Sequence, residues 1–268
     1  MAIIGSDIGA STASLFVRRN NESFSESLKR LAAGSKLATP YLDAAGVAVS
    51  GKLDAGIQRL AAASDGARNI ISFSQTTDGF LGSIQGQLTR MSELAQRASD
   101  GTLSDDQRAA LNAEFTQLRD QIGDFSENAS FNGRQLFQDS EISTAVNQQG
   151  GTDSIETKAL SLTSLGLNGL ELSDQDAART AFTNIDSAIE SVTTRRAEVN
   201  ADISRFQFHI NNISTEQINT EAANSRIADL NIADETTQQA TNSILLQASI
   251  AMVSQANSAR QNVLGLLR

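Results

Sequence analysis

The chain has 268 residues with one proline, one tyrosine, no tryptophan and no cysteine, and its formal net charge is −10. The lack of cysteine excludes disulfides, thiolate metal sites and a cysteine nucleophile, while an acidic chain without a Lys/Arg block is unsuited to binding nucleic acid. Scarce proline permits long uninterrupted helices, and few aromatic residues suit narrow seams between helices.

Neither a membrane-spanning segment nor a secretory signal is recognisable in the sequence. The first seven residues lack the basic start and long apolar run of a secretory signal. The apolar stretch 244–253 contains Gln247 and Ser249 and is too short to span a bilayer. We therefore expect no membrane insertion, and the missing signal taken alone would favour a cytoplasmic protein.

The first predicted helix carries one apolar stripe. Val17, Phe24, Leu28 and Leu31 follow one another at spacings of seven, four and three residues, which places them on one face of a helix. Terminal segments usually fray unless burial offsets the entropy of ordering them. We therefore predict that this stripe packs against another segment.

A second helical segment spans about residues 53–97, and a third follows a break at 99–104. Ser104 and Gln107 have the spacing of a capping box, which predicts that the third helix begins there. The third helix carries apolar residues at alternating spacings of four and three, which is a heptad seam: Leu111, Phe115, Leu118, Ile122 and Phe125.

The middle of the chain contains several turn signals. Asn132-Gly133 is a strong hairpin signal, and glycine-containing turns recur at 148–152 and 164–170. We predict a small β-hairpin region at about 131–170, packed on helices.

A long helix is predicted from about 175 to 228, because apolar residues step four and three along it and only Arg196 interrupts them. Ser173–Asp176 supply its start signal. Such a helix is about 80 Å long at 1.5 Å per residue and cannot bury its seam on itself. The predicted fold class is mainly α: a long antiparallel bundle whose first and last segments lie together as a coiled coil.

The last segment, from about 244, is apolar with hardly a charge, so it must be covered, and we predict that another subunit covers it. The expected assembly interface combines the first stripe with apolar residues of the tail: Val17, Phe24, Leu28, Leu31, Leu245, Leu246, Met252, Val253, Val263, Leu264, Leu266 and Leu267.

Catalytic signals are weak. His209 is the only histidine and lies between seam residues, and Asp105-Asp106 follow a helix cap, where acidic residues are favoured by the helix dipole. The sequence has no metal-ligand spacing, phosphate loop or histidine-paired nucleophile. We expect no enzyme, no cofactor and no metal.

Several short motifs follow one another along the chain in a specific order. They include Leu42–Val49, Arg68–Gly79, Phe131–Leu136, Ser225–Asp229 and Gln261–Arg268. Their order and spacing resemble those of bacterial flagellins over nearly the whole chain.

The resemblance implies a secreted, extracellular subunit of the flagellar filament, exported by the flagellar type III system. Residues 1–43 and 229–268 would form the inner-tube coiled coil and residues 44–228 the outer-tube rod, without a variable outer domain. The implied partners are other flagellin subunits, hook-associated and cap proteins, and an export chaperone. The alternative is a hook–filament junction (hook-associated) protein, which shares the terminal motifs; an adhesin or immune-receptor ligand is a further class.

The resemblance also implies a surface for host receptors. In the family, an arginine and a leucine of one helix and a glutamate of the next form the patch that Toll-like flagellin receptors recognise. The matching residues here are Arg90, Leu94 and Glu114.

Overall fold

The computed structural model describes the backbone of residues 2–266 and the side chains of residues 9–259, 261 and 262. It is mainly helical with two small antiparallel hairpins, so the predicted fold class is confirmed. The elements in chain order are α1 Ala2–Ala33, α2 Ala44–Ala98, α3 Asp105–Asn128, β1 Ser130–Phe131, β2 Arg134–Gln135, β3 Ser140–Ala145, β4 Thr152–Thr157, α4 Gln175–Ala228 and α5 Ile232–Leu266.

The chain divides into two compact units. The terminal unit contains Met1–Gly56 and Asn219–Arg268, and the central unit contains Ile57–Ile218. Over the described residues, no helix is both long and apolar enough to cross a membrane.

Side-chain caps explain where three of the helices begin. Gln107 N–H donates to Ser104 Oγ and Ser104 N–H donates to Gln107 Oε1, which confirms the predicted capping box at the start of α3. Asp174 Oδ1 accepts a hydrogen bond of 2.8 Å from Ala177 N–H at the start of α4, and Asp43 serves α2 in the same way. Each cap satisfies a backbone donor that the first helical turn leaves without a partner.

The middle of the chain forms hairpins, as predicted, but their strands end at Thr157, before the predicted limit of about 170. Asn132 and Gly133 have φ values of 51° and 77°, the double left-handed conformation of a two-residue hairpin turn, and they join β1 to β2. A second hairpin pairs β3 with β4, from Ser140 opposite Thr157 to Ala145 opposite Thr152. An irregular segment, 158–174, then leads into α4.

The core of the central unit lies where α2, α3 and α4 meet under the hairpins. The predicted seams of α3 and α4 both pack into it, at alternating spacings of four and three residues. The largest fully buried side chains of this core are Leu81, Ile84, Leu88, Met91, Leu94, Phe115, Ile122, Leu136, Leu167, Leu172 and Phe206.

Arg196, the polar interruption of the α4 seam, is held by partners on α2. Its Nε and Nη2 donate to the two oxygens of Asp78 at 2.9 and 3.2 Å, and its Nη1 donates to Gln85 at 2.8 Å. The hydrogen bond from Arg196 is the largest cause that lowers the pKa of Asp78, and the same bond raises the pKa of Arg196. The charge of Arg196, at a position of the seam where the other residues are apolar, is therefore neutralised by a partly exposed ion pair with Asp78.

Candidate assembly surfaces

The terminal helices α1 and α5 pack side by side. Asn20 Nδ2 donates to Leu245 O at 3.1 Å and also reaches Ser249 Oγ, while Asn242 Nδ2 donates to Ser27 Oγ at 3.1 Å. Later residues of α1 thus meet earlier residues of α5, which makes the pair antiparallel. The prediction that the first and last segments lie together is confirmed.

The seam of this pair follows a heptad pattern, but its most buried positions are small or polar. Ser27 is 3% exposed and Ser249 is 1% exposed, whereas the apolar seam residues between them are only half-buried. Seam positions recur at spacings of four and three on both helices, as in a coiled coil. On α1 they are Ala13, Val17, Asn20, Phe24, Ser27 and Leu31, and on α5 they are Glu235, Gln239, Asn242, Leu246, Ser249 and Val253.

Because small and polar residues fill the most buried seam positions, large apolar side chains remain on the outside of the pair. They are 44–66% exposed. Single exposed apolar residues are ordinary, but so many on one pair of helices make this pair a candidate interaction surface. The group, which we call the terminal apolar surface, contains Leu15, Phe16, Leu28, Ile232, Ile244, Leu245, Ile250 and Met252.

The predicted interface residues divide between the seam and this surface. Val17, Phe24, Leu31, Leu246 and Val253 are half-buried in the seam. Leu28 departs from the predicted stripe, because Ser27 occupies the seam position beside it; with Leu245 and Met252, Leu28 is exposed. The side chains of Val263, Leu264 and Leu266, and all of Leu267, lie outside the described residues.

The predicted interface residues did not include five members of this surface: Leu15, Phe16, Ile232, Ile244 and Ile250. The polar residues of the seam would have located it. Asn20 and Ser27 are seven residues apart on α1, as are Asn242 and Ser249 on α5, and this spacing marks the seam better than the apolar residues do.

The two connections that lead into the pair are joined to each other. Gly34, in the left-handed conformation with φ 64°, accepts a hydrogen bond of 3.2 Å from Leu230 N–H, and Lys36 N–H donates to Ala228 O at 2.8 Å. Glycine is suited to this position because a side chain would strain that conformation. The backbone bridge holds the end of α1 beside the start of α5.

Arg90 and Glu114 form an exposed ion pair on the central unit. Arg90 Nε donates to Glu114 Oε1 at 2.8 Å, and Arg90 Nη1 donates to Glu93 Oε2 at 2.9 Å. These hydrogen bonds, with the one to Glu114 contributing most, raise the pKa of Arg90. Leu94 is fully buried, so of the three residues only Arg90 and Glu114 are accessible.

His209 fastens the second hairpin to α4. Its Nε2 lies 2.9 Å from Asp153 Oδ2, and Arg205 Nη1 donates to Asp153 Oδ1 at 2.6 Å. The His209 ring also packs against Phe206. These contacts account for the histidine as a structural residue. Among the described side chains, no group of three His, Asp or Glu residues is placed to hold a metal ion.

Comparison with known proteins places the chain in a family. The bacterial flagellin N-terminal helical region matches residues 4–142, and the bacterial flagellin C-terminal helical region matches residues 182–267. The chain belongs to the flagellin family. A flagellar filament core protein of Treponema maltophilum is 31% identical over 99% of both chains.

Two solved structures are similar to this member of the flagellin family. The crystal structure of Bacillus cereus flagellin matches with a TM-score of 0.50 and 29% identity, over 59% of this chain and 93% of that one. A putative flagellar hook-associated protein from Vibrio parahaemolyticus matches with a TM-score of 0.58 and 14% identity, over 66% of this chain and 95% of that one. The second likeness concerns the fold alone, so the full-length filament relative favours a filament subunit over a junction protein.

Proposed function

We propose that this chain is a structural subunit of an extracellular flagellar filament, and that copies assemble through the terminal apolar surface. The observation that carries the proposal is the arrangement of the terminal pair, which buries serine and asparagine and exposes leucine, isoleucine, phenylalanine and methionine. Membership of the flagellin family supports a second copy as the cover for that surface.

The terminal apolar surface alone contributes too little free energy to hold two copies together firmly. Complete burial of a large apolar side chain contributes about 1.5–3 kcal/mol, so covering eight half-exposed side chains contributes roughly 8 kcal/mol. Association costs about 4–15 kcal/mol in lost freedom of motion. One contact that covers this surface is therefore close to balance, so a stable filament needs further contacts on each subunit.

We assign residues 1–43 and 229–268 to an inner tube and residues 44–228 to an outer tube. The support for this division is the family resemblance together with the pairing of α1 with α5. Export by the flagellar type III system, a chaperone for the C-terminal segment, and hook-associated and cap proteins at the filament ends belong to the same proposal. An apolar surface that needs cover before assembly is consistent with a chaperone.

Polymerisation of purified protein tests the proposal. After seeding or salt-induced precipitation, electron microscopy should show long filaments of uniform width, and circular dichroism should show helicity that rises on assembly. A chain without residues 249–268 should remain a partly helical monomer. Filaments from that truncation would refute the assignment of the tail to assembly, and a full chain that only adds to existing filament ends would indicate a junction protein.

Recognition by a host Toll-like flagellin receptor is a second candidate function, favoured by the exposed Arg90–Glu114 pair. Arg90→Ala together with Glu114→Ala should impair receptor activation by monomeric protein. Arg179→Ala with Asp176→Ala, which removes another exposed ion pair, is the matched control and should leave activation unchanged. An equal response from the two double variants would refute a specific role for Arg90 and Glu114.

A further inference from the structure

The central unit carries an apolar side chain that its own core does not use. Phe208 is 70% exposed, although Phe206, two positions earlier, is fully buried and His209 beside it faces the second hairpin. Two residues along a helix correspond to a rotation of about 200°, so Phe208 points away from the core. One turn away along α4 lie the uncharged Ser204 and Asn211 and the charged Arg205, which is paired with Asp153 and Asp202.

The same unit also has an apolar opening of about 200 Å³, which we call the Phe131 pocket. Every residue that lines it belongs to α2, to the β1–β2 hairpin or to β3. Phe131 is held in its wall by an edge-to-face contact with Phe73, with ring centroids 6.1 Å apart. The apolar walls are Ile70, Phe73, Phe131 and Ile142, and the rim includes Asn69 and Arg134.

We infer that Phe208 of one copy inserts its ring into the Phe131 pocket of the next copy. A cavity of about 150 Å³ lined by aliphatic and aromatic side chains is enough to bind benzene, so the pocket has room for a phenyl ring. None of the residues that line the pocket lies on α4. Phe208, on the outer side of α4, is therefore not part of the pocket of its own chain, and we assign it to the pocket of another copy. This inference rests on the proposed function and names one contact of the assembly.

The contact joins two different patches, and that has a geometric consequence. A heterologous contact repeats from copy to copy and produces an open helical filament when the rotation does not close a ring. The cations on both sides already have partners: Arg205, one turn before Phe208, is paired with Asp153 and Asp202, and Arg134 on the rim donates to Glu141 O and Ser140 Oγ.

The buried area explains why this contact acts only within a polymer. One aromatic side chain buries about 150–250 Å², against about 1,200–2,000 Å² for a stable interface. It must act together with the terminal apolar surface, and we expect it to lower the critical concentration for polymerisation rather than to form dimers.

The test measures the critical concentration by sedimentation. Phe208→Ala removes the ring, and Asn69→Trp obstructs the pocket from an exposed position. Each should raise the critical concentration at least tenfold, which corresponds to about 1.4 kcal/mol. Ile218→Ala is the matched control, because Ile218 is 63% exposed on the same helix; it should change the value less than twofold. Thermal unfolding of each monomer, followed by circular dichroism, verifies the fold.

Two combinations distinguish this contact from unrelated effects. The critical concentration of a Phe208→Ala, Asn69→Trp double variant should be no higher than that of the more severely affected single variant, since both changes remove the same contact. An equimolar mixture of the single variants should polymerise at a lower concentration than either alone, because one supplies pockets and the other rings.

Additive effects in the double variant, or a Phe208→Ala chain that behaves like the Ile218→Ala control, would overturn the inference while leaving the proposed function intact. A wild-type chain that forms no filaments would overturn both.

Discussion

Replacing Arg196 tests whether the charged interruption of the α4 seam stabilises the central unit. Arg196→Met keeps a long side chain in the seam but leaves Asp78 with only Asn200 as a side-chain donor, at 3.1 Å. Hydrogen bonds to charged groups contribute about 1.5–3 kcal/mol, and screening of the partly exposed pair reduces this. We expect a loss of about 2 kcal/mol in the free energy of unfolding, or about 4–8 °C in Tm at 2–4 °C per kcal/mol.

The pH dependence has a definite sign. The folded chain holds the pKa of Asp78 below its ordinary value, mainly through the hydrogen bond from Arg196. The resulting stabilisation is fully present above the unfolded value of about pH 4, and it is lost as the pH falls through the lower folded pKa, since the unfolded chain then binds more protons. The difference between wild type and Arg196→Met should therefore shrink below about pH 4.

Thermal denaturation at pH 7 and pH 3, with Asp78→Asn and the double variant, measures the coupling. At pH 7, the sum of the stability losses of the two single variants should exceed the loss of the double variant by about 1–2 kcal/mol. Strictly additive losses, or a gap that grows as the pH falls, would refute the reasoning.

Two further changes test local features of the central unit. Ser104→Ala removes the capping box with Gln107 and should cost about 0.5–2 kcal/mol in the free energy of unfolding measured in urea; no measurable loss would contradict the cap. Gly66→Ala should destabilise by about 1–3 kcal/mol, because a Cβ there would overlap Thr144 Oγ1 of β3. The control Gly86→Ala has open space around it and should stabilise by about 0.5–1 kcal/mol, so equal effects of the two glycine changes would contradict the packing.

Much of the central unit could be predicted because its helices obey strong local rules. The predicted helix from about 175 to 228 is α4, since no glycine or proline interrupts it and only Arg196 interrupts its apolar seam. The Asn132-Gly133 turn and the cap at Ser104 were predictable because each depends on backbone chemistry within a few residues.

The sequence predicted that the terminal helices pair, but it predicted only some of the residues that lie in their seam. Apolar periodicity locates a seam when the seam is made of large apolar residues, whereas Ser27 and Ser249 occupy the most buried positions here. Leu94 continues the helical spacing of the apolar residues Leu88 and Met91 along α2, and its burial follows that spacing.

Labelling of a single cysteine tests most directly the claim that other copies cover the terminal apolar surface. The chain has no cysteine, so Ile244→Cys, at a position that is 66% exposed, provides one thiol for a maleimide. Gln149→Cys, at the exposed turn between β3 and β4, gives the reference rate at which an exposed thiol of the monomer reacts with the maleimide. We expect Ile244→Cys to react as fast as Gln149→Cys in the monomer and at least tenfold more slowly in the filament. Equal rates for Ile244→Cys in monomer and filament would contradict the account.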